Sequence, residues 1–312
     1  MELSLLLIRQ IASMFIMIFL GFLTIKTKLL SQEDGKVLSK TAVYIVAPCM
    51  AFASFQIDFS SDKLLGLGIA AAAAVAVHLI YMLISRAISS PLRLMNIERA
   101  SLIYSNSGNM IIPLITNVLG SEWVFYSSAY ITVQTLLIWT HGKSLVQGKK
   151  DWSLKQVIFN PNIISVTIAL IFFLLRVTVP RVINTAMSSV GAMIGPLCMF
   201  VVGMLIAGMD LRSLMAKKRA FLICAGRLVI YPSVIAAVFS AVARTGIHPD
   251  LMKILLIVLL AASSPSASTV TQFAQIYDAE PEYSSIINVT TTLLCIVTMP
   301  PIVMLYQLLT GM

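Results

Sequence analysis

The residues of this chain that could do chemistry fall in two short polar runs. One is Y-S-N-S-G-N, Tyr104–Asn109, followed by Pro113, inside the otherwise apolar stretch Ser101–Leu119. The other is S-S-P-S-A-S-T-V-T-Q, Ser263–Gln272, with Pro265 near its start. Gly108, Pro113 and Pro265 are the expected helix-breaking residues, since glycine and proline weaken the backbone ladder. Where a helix unwinds in an apolar setting, N–H and C=O groups lose their partners, so the break must face protein, water or a ligand. The N-terminus of a half-helix gathers N–H donors and partial positive charge, which suits a carboxylate. Asn106, Asn109, Ser263, Ser266 and Ser268 add neutral donors and acceptors. Together they describe a seat for a small organic anion. The plainer reading is that Ser, Thr and Asn hold helices together without touching a ligand.

Charged groups deep in apolar stretches are few. Arg227 could meet a substrate carboxylate, or it could snorkel to lipid headgroups. Asp58 and Asp210 close two apolar stretches and read either as proton-coupling carboxylates or as solvated helix ends. His78 could relay a proton or simply pack. Gln134, Gln272 and Asn288 are mid-helix polar residues near the two runs and rank below the asparagines. Cys49, Cys198, Cys224 and Cys295 all lie in apolar stretches without a C-x-x-C pair, so they read as small buried hydrophobes. No H-E-x-x-H, G-x-S-x-G or G-x-x-x-x-G-K-[ST] motif occurs. The expectation is therefore no enzyme, no cofactor and no metal site, and no self-contained nucleotide-driven pump.

The elements that must position these residues are membrane spans. Hydrophobic residues make up 58% of the 312 and charged residues 11%, with mean hydropathy +0.92, whereas a soluble domain is about one quarter charged. A hydrocarbon core about 30 Å thick takes roughly 20 apolar residues per helix. Ten stretches qualify: Leu5–Ile25, Leu38–Ile57, Leu64–Ile84, Ser101–Leu119, Trp123–Thr140, Val157–Val179, Ile183–Met209, Ala220–Ala243, Leu251–Tyr277 and Tyr283–Leu309. The net charge of +9 does not indicate a nucleic-acid partner, because Lys and Arg sit between the spans. With ten spans, six of the 22 basic residues fall on the face shared by both termini and sixteen on the other. The basic face is cytoplasmic. The expected placement is a plasma or inner membrane, with the termini outside and the linker inside. The N-terminal segment lacks a basic leader, so the first span is expected to stay.

The chain also repeats itself. Y-S-S-A-Y-I-T-V-Q-T-L-L at 126–137 matches Y-S-S-I-I-N-V-T-T-T-L-L at 283–294 in 6 of 12 positions, at a shift of 157 residues. This predicts a five-helix repeat over residues 1–142, a short linker at 143–156 and a second repeat over 157–312. Five is odd, so the second repeat enters the membrane from the opposite face and the two are inverted. The fold class is all-α, ten transmembrane helices in two inverted repeats, with helices 4 and 9 broken.

S-N-S-G-N-M-I-I-P-L, P-S-A-S with Q-I-Y-D-A-E-P-E-Y-S-S, N-P-N-I-I and G-P-L-C-M-F-V-V-G-M-L together resemble bacterial members of the auxin efflux carrier family, over essentially the whole chain. The resemblance implies scaffold and transport domains assembled from both halves, with helices 4 and 9 crossing. It implies export or exchange of organic acids, dicarboxylates or auxin-like weak acids, by an elevator-like motion in a homodimer. Asn106, Asn109 and Pro113 would belong to the site on helix 4, and Pro265 to the crossover on helix 9. Two features depart from the pattern: the second break is rich in Ser and Thr where an asparagine is expected, and the linker is short. A sodium-coupled symporter of the bile-acid type, a passive anion channel and a receptor without flux remain open at this level.

Overall fold

A computed structural model describes residues 2–149, 155, 158–208 and 218–311, and every regular element among them is helical. In chain order the helices are α1 (Glu2–Lys26), α2 (Gln32–Thr41), α3 (Ala47–Ser54), α4 (Ser61–Ser89), α5 (Asn96–Ile103), α6 (Ser107–Val118), α7 (Val124–Leu137) and α8 (Lys143–Gln147). The second half gives α9 (Pro161–Leu174), α10 (Arg181–Gly191), α11 (Ile194–Ala207), α12 (Lys218–Ala225), α13 (Tyr231–Ala243), α14 (Leu251–Ala262), α15 (Ser268–Ile276) and α16 (Pro281–Thr310). Among the described residues four spans, 32–54, 61–89, 181–207 and 218–243, are long and apolar enough to cross a membrane, and a bent 281–310 is a fifth if counted as one span. Shorter apolar helices occur at Phe15–Lys26, Pro161–Leu174 and Leu251–Ala262.

Proline decides where several helices deform. Wide π-turns at Ala42–Val46 and Gly226–Ile230 each run up to a proline, Pro48 and Pro232. A proline offers no N–H to the carbonyl four residues back, and widening the preceding turn shifts the ladder past the gap. In α16, Pro300 and Pro301 leave the carbonyls of residues 296 and 297 without their helical donors, and the helix bends by 55° there.

The chain divides into two compact units, each assembled from both halves of the sequence. The first comprises 1–64, 108–128 and 158–211. Its main seam is α1 against α11, and glycine sets the approach. A β-carbon on Gly203 would collide with the Ile18 carbonyl oxygen, and one on Gly21 with that of Phe200. Backbone meets backbone there, as in small-residue interfaces between membrane helices. α10 closes on α3 in the same way, with Gly191 against the Met50 backbone. An aromatic cluster completes this unit: the Phe125 ring lies 4.8 Å from Phe55 and 5.1 Å from Phe173, edge-on or tilted. Asp58 is exposed in this unit; its main-chain carbonyl accepts from Lys63 Nζ at 2.8 Å. Asp210 lies outside the described residues.

The second unit comprises 65–107, 129–157 and 212–312. At its centre is α14, where Leu251 and every residue from Ile254 to Ala262 are buried. A helix apolar on all sides needs such a sheath. At one edge Glu98, at the start of α5, accepts from Arg219 Nη2 at 2.8 Å, from the Met95 amide at 2.8 Å and from the Tyr283 hydroxyl at 2.9 Å. Burial pushes this carboxyl up, but the Arg219 guanidinium and the other donors more than offset it, leaving Glu98 below its ordinary value. The cluster ties α5, α12 and α16 together.

The α1–α11 seam gives the first test. Gly203→Val is expected to destabilise the protein by about 1–3 kcal/mol or more, since main chain cannot yield to the new methyls. Gly68→Ala, whose added carbon meets nothing within 4 Å inside α4, does not lower thermal stability and gains up to about 1 kcal/mol of helix propensity. Thermal unfolding in detergent checks both; a neutral Gly203→Val contradicts the backbone-to-backbone seam.

Candidate functional site

Residues 104–107 of the first polar run meet the second run in the second unit, and they do so through their main chains. α5 ends at Ile103 and α6 begins at Ser107; α14 ends at Ala262 and α15 begins at Ser268. Between these ends Ser105 and Ser266 form an antiparallel bridge. The Asn106 amide donates to the Pro265 carbonyl at 2.8 Å, and the Ala267 amide to the Tyr104 carbonyl at 3.0 Å. Ser105 and Ser266 are thus the non-hydrogen-bonded pair of a one-rung ladder, and their own N–H and C=O groups point away from it.

Side chains from the following helices take up those groups. The Gln134 carboxamide accepts from the Ser105 amide at 3.0 Å and returns its own N–H to the Ser105 carbonyl at 2.7 Å. It also accepts from Ser105 Oγ at 2.6 Å and donates to Ser107 Oγ at 3.2 Å, so both ends of the amide are engaged. On the other strand the Ser266 amide donates to Thr291 Oγ1 at 3.1 Å, and Asn288 Nδ2 donates to the Ser266 carbonyl at 2.8 Å. Gln134 and Thr291 occupy matching positions of the 157-residue repeat, and each serves the bridge serine of its own half. The intervening spacing is 29 residues in the first half and 25 in the second. Three residues of this difference of about one helical turn are taken up by α15, with 9 residues against 12 in α6.

Arg227 serves the C-terminal ends. It sits in the π-turn Gly226–Ile230 and is fully buried. Its Nη1 donates to the Leu102 carbonyl at 3.1 Å, its Nη2 to Ala262 at 2.9 Å and its Nε to Ser264 at 3.0 Å. The Tyr81 hydroxyl adds a 3.3 Å bond to the Ala262 carbonyl. Gly226 allows the approach, since a β-carbon there would lie 2.9 Å from a Leu102 methyl. Burial rules out the snorkelling reading of Arg227, because the head does not reach the surface.

The remaining expected residues fall as follows. Asn106 is half-buried and its Nδ2 donates to Ser268 Oγ at 3.2 Å, so these two lie together at the start of α15. That helix begins on Ala267, whose methyl cannot cap its first amides. Ser263 is buried and its hydroxyl bonds back to Leu259 at 2.7 Å. Pro265 lies in the second interruption itself. Gly108 and Pro113, expected at the first break, instead lie within α6; the chain opens at Tyr104–Asn106, upstream of both. A proline removes a single ladder bond, whereas the Tyr-Ser-Asn segment finds a full set of alternative partners, and that decides the location. Asn109 lies in the first turn of α6. His78 is buried; its Nδ1 donates to the Ala74 carbonyl at 2.7 Å, and its ring centroid lies 5.1 Å from that of Tyr130, whose hydroxyl is 3.3 Å from Ser105 Oγ. Among the described residues no group of three or more His, Cys, Asp or Glu could hold a metal ion. Gln134 and Asn288 do more at the break than their sequence rank suggested, and Thr291 was not singled out. The signal was there: polar side chains in the middle of the one segment that the two halves share.

A family model described as membrane transport protein matches residues 6–156 and again 150–303. The chain belongs to the auxin efflux carrier family. The double match covers nearly all of this carrier-family chain as two repeats, and with the apolar helices it makes the protein a multi-pass membrane transporter. No curated protein matches it.

Gln134→Leu tests the role of the carboxamide in this family member. It keeps the volume but orphans the Ser105 N–H and C=O, each worth about 1–3 kcal/mol when buried and unpaired. The expected result is a lower unfolding temperature and loss of transport, with Gln134→Asn recovering neither because it is one methylene short. Wild-type behaviour of Gln134→Leu contradicts the assignment.

Proposed function

We propose that this protein is a secondary carrier of small organic anions, such as dicarboxylates or auxin-like weak carboxylic acids, seated at the two paired interruptions. The observation that carries the reading is the set of groups gathered there. The half-buried Asn106 and Ser268 flank the start of a helix that no side chain caps, while a buried arginine neutralises the opposing carbonyl ends. Two half-helix C-termini and two N-termini roughly cancel at about half a charge each, so Arg227 leaves the region with net positive character, suited to a carboxylate. On this reading Asn106 and Ser268 contact the anion, Ser263 and Ser266 shape the break, and Arg227 acts from behind the main chain. His78, Asp58 and Asp210 are the groups proposed for proton coupling.

The full architecture belongs to the same proposal. It comprises ten spans in two inverted repeats, crossing at helices 4 and 9, with the termini outside, the 143–156 linker in the cytoplasm and two copies forming a homodimer. Alternating access about the crossing would move the anion from one face to the other.

The test is uptake of labelled mono- and dicarboxylates into proteoliposomes, with imposed proton or sodium gradients. A carrier gives saturable uptake and counterflow; flux far above about a thousand ions per second per molecule, without counterflow, would identify a channel instead. Losing one hydrogen bond to an anion costs about 1.5–3 kcal/mol, so Asn106→Ala should raise the half-saturation concentration about tenfold or more. Unchanged kinetics for every transported acid would remove Asn106 from the site.

A further inference from the structure

Arg227 has a role beyond lending charge to an anion seat. It is fully buried, and among the described residues no carboxylate pairs with it. All three of its nitrogens donate to main-chain carbonyls, and those carbonyls belong to the C-terminal ends of two different half-helices, α5 at Leu102 and α14 at Ala262 and Ser264. Each such end carries about half a negative charge. One guanidinium therefore matches the pair almost completely. Carbonyl oxygens of unwound backbone and half-helix C-termini are also the groups that hold a coupling cation in carriers with broken helices.

We propose that Arg227 is the resident cation of the two interruptions, standing where a co-transported alkali metal ion would otherwise sit, so that the carrier works without one. The fork geometry is part of the argument. Nε, Nη1 and Nη2 span carbonyls on two chain segments at 3.0, 3.1 and 2.9 Å, so the side chain both neutralises the ends and fixes their separation. Gly226 lets the Leu102 end come close, and the π-turn before Pro232 places Arg227 between the ends. The Tyr81 ring, 5.5 Å from the guanidinium carbon, closes one face of the fork and contributes a hydroxyl to the same Ala262 carbonyl.

This proposal rests on the carrier reading for its functional half only, and the experiment separates the two. Full-length wild type, Arg227→Lys and Arg227→Ala are purified and unfolded thermally in choline, sodium or potassium chloride, and then with low-millimolar ethylguanidinium. Wild type should unfold at the same temperature in all three salts. Arg227→Ala should unfold several degrees lower and regain part of the loss with ethylguanidinium or an alkali cation, which refill the vacated carbonyls. Arg227→Lys should fall between, because an ammonium cannot reproduce the three-way fork. Saturable stabilisation of wild type by sodium overturns the proposal, as does an Arg227→Ala protein as stable as wild type and blind to every cation. If Arg227→Ala does not accumulate, wild type and Arg227→Lys decide by the same criteria. Uptake by wild type should be unchanged when choline replaces sodium. If no carboxylate is transported at all, the carrier reading fails, while the unfolding data still decide the role of Arg227.

Discussion

A peptide group that leaves a helix away from water must find another partner, and this protein meets that constraint by making two interruptions answer each other. Tyr104, Ser105 and Asn106 pair with Pro265, Ser266 and Ala267. What the pairing leaves over is taken by side chains: Gln134 on Ser105, Asn288 and Thr291 on Ser266, and Arg227 on Leu102, Ala262 and Ser264. Each carboxamide substitutes for a neighbouring strand, and the arginine substitutes for the next helical turn. Unpaired, these groups would each cost about 1–3 kcal/mol, enough together to restore continuous helices. Fully paired, they make the broken geometry the stable one.

That division of labour explains why so many polar residues in the two runs are structural. Ser105, Ser107 and Ser266 are buried and engaged with the repeat helices, and Ser263 bonds its own helix. Asn106 and Ser268 are different, being half-buried at the start of α15, where no side-chain cap intervenes. Each unit is packed for its own reason. In one, glycines bring α1 onto α11 backbone to backbone; in the other, α14 is buried from Ile254 to Ala262. A transport site needs a few accessible polar groups on a frame whose own polar groups are already satisfied.

Much of this was legible in the residues. Composition alone indicated membrane helices, and the Y-S-S copies exposed the duplication that the family match then found as two repeats. The polar runs marked where the spans would break. The first break was legible only to within a turn. Gly108 and Pro113 drew attention downstream, yet the chain opens at Tyr104–Asn106, because partners from Gln134 and the second run are supplied there. Those partners are 29 and about 160 residues away, and no local propensity encodes them. The same holds for Arg227: its sequence context shows a charge in an apolar stretch, but only the fold shows the carbonyls it meets. The π-turns were equally hidden, although Pro48 and Pro232 in the spans announced some deformation.

The central claim is that the two halves are joined by main-chain pairing at Ser105 and Ser266, and cysteine cross-linking tests it most directly. In a background lacking Cys49, Cys198, Cys224 and Cys295, Ser105→Cys and Ser266→Cys are combined, and a protease site is inserted at the exposed Gly148. Opposed residues of a non-hydrogen-bonded antiparallel pair have α-carbons about 4.5 Å apart, within reach of a disulfide. After mild oxidation and cleavage, the account predicts that the two halves migrate as one species and part only on reduction. Separation without reductant, in protein that is folded and carries both thiols, would contradict it.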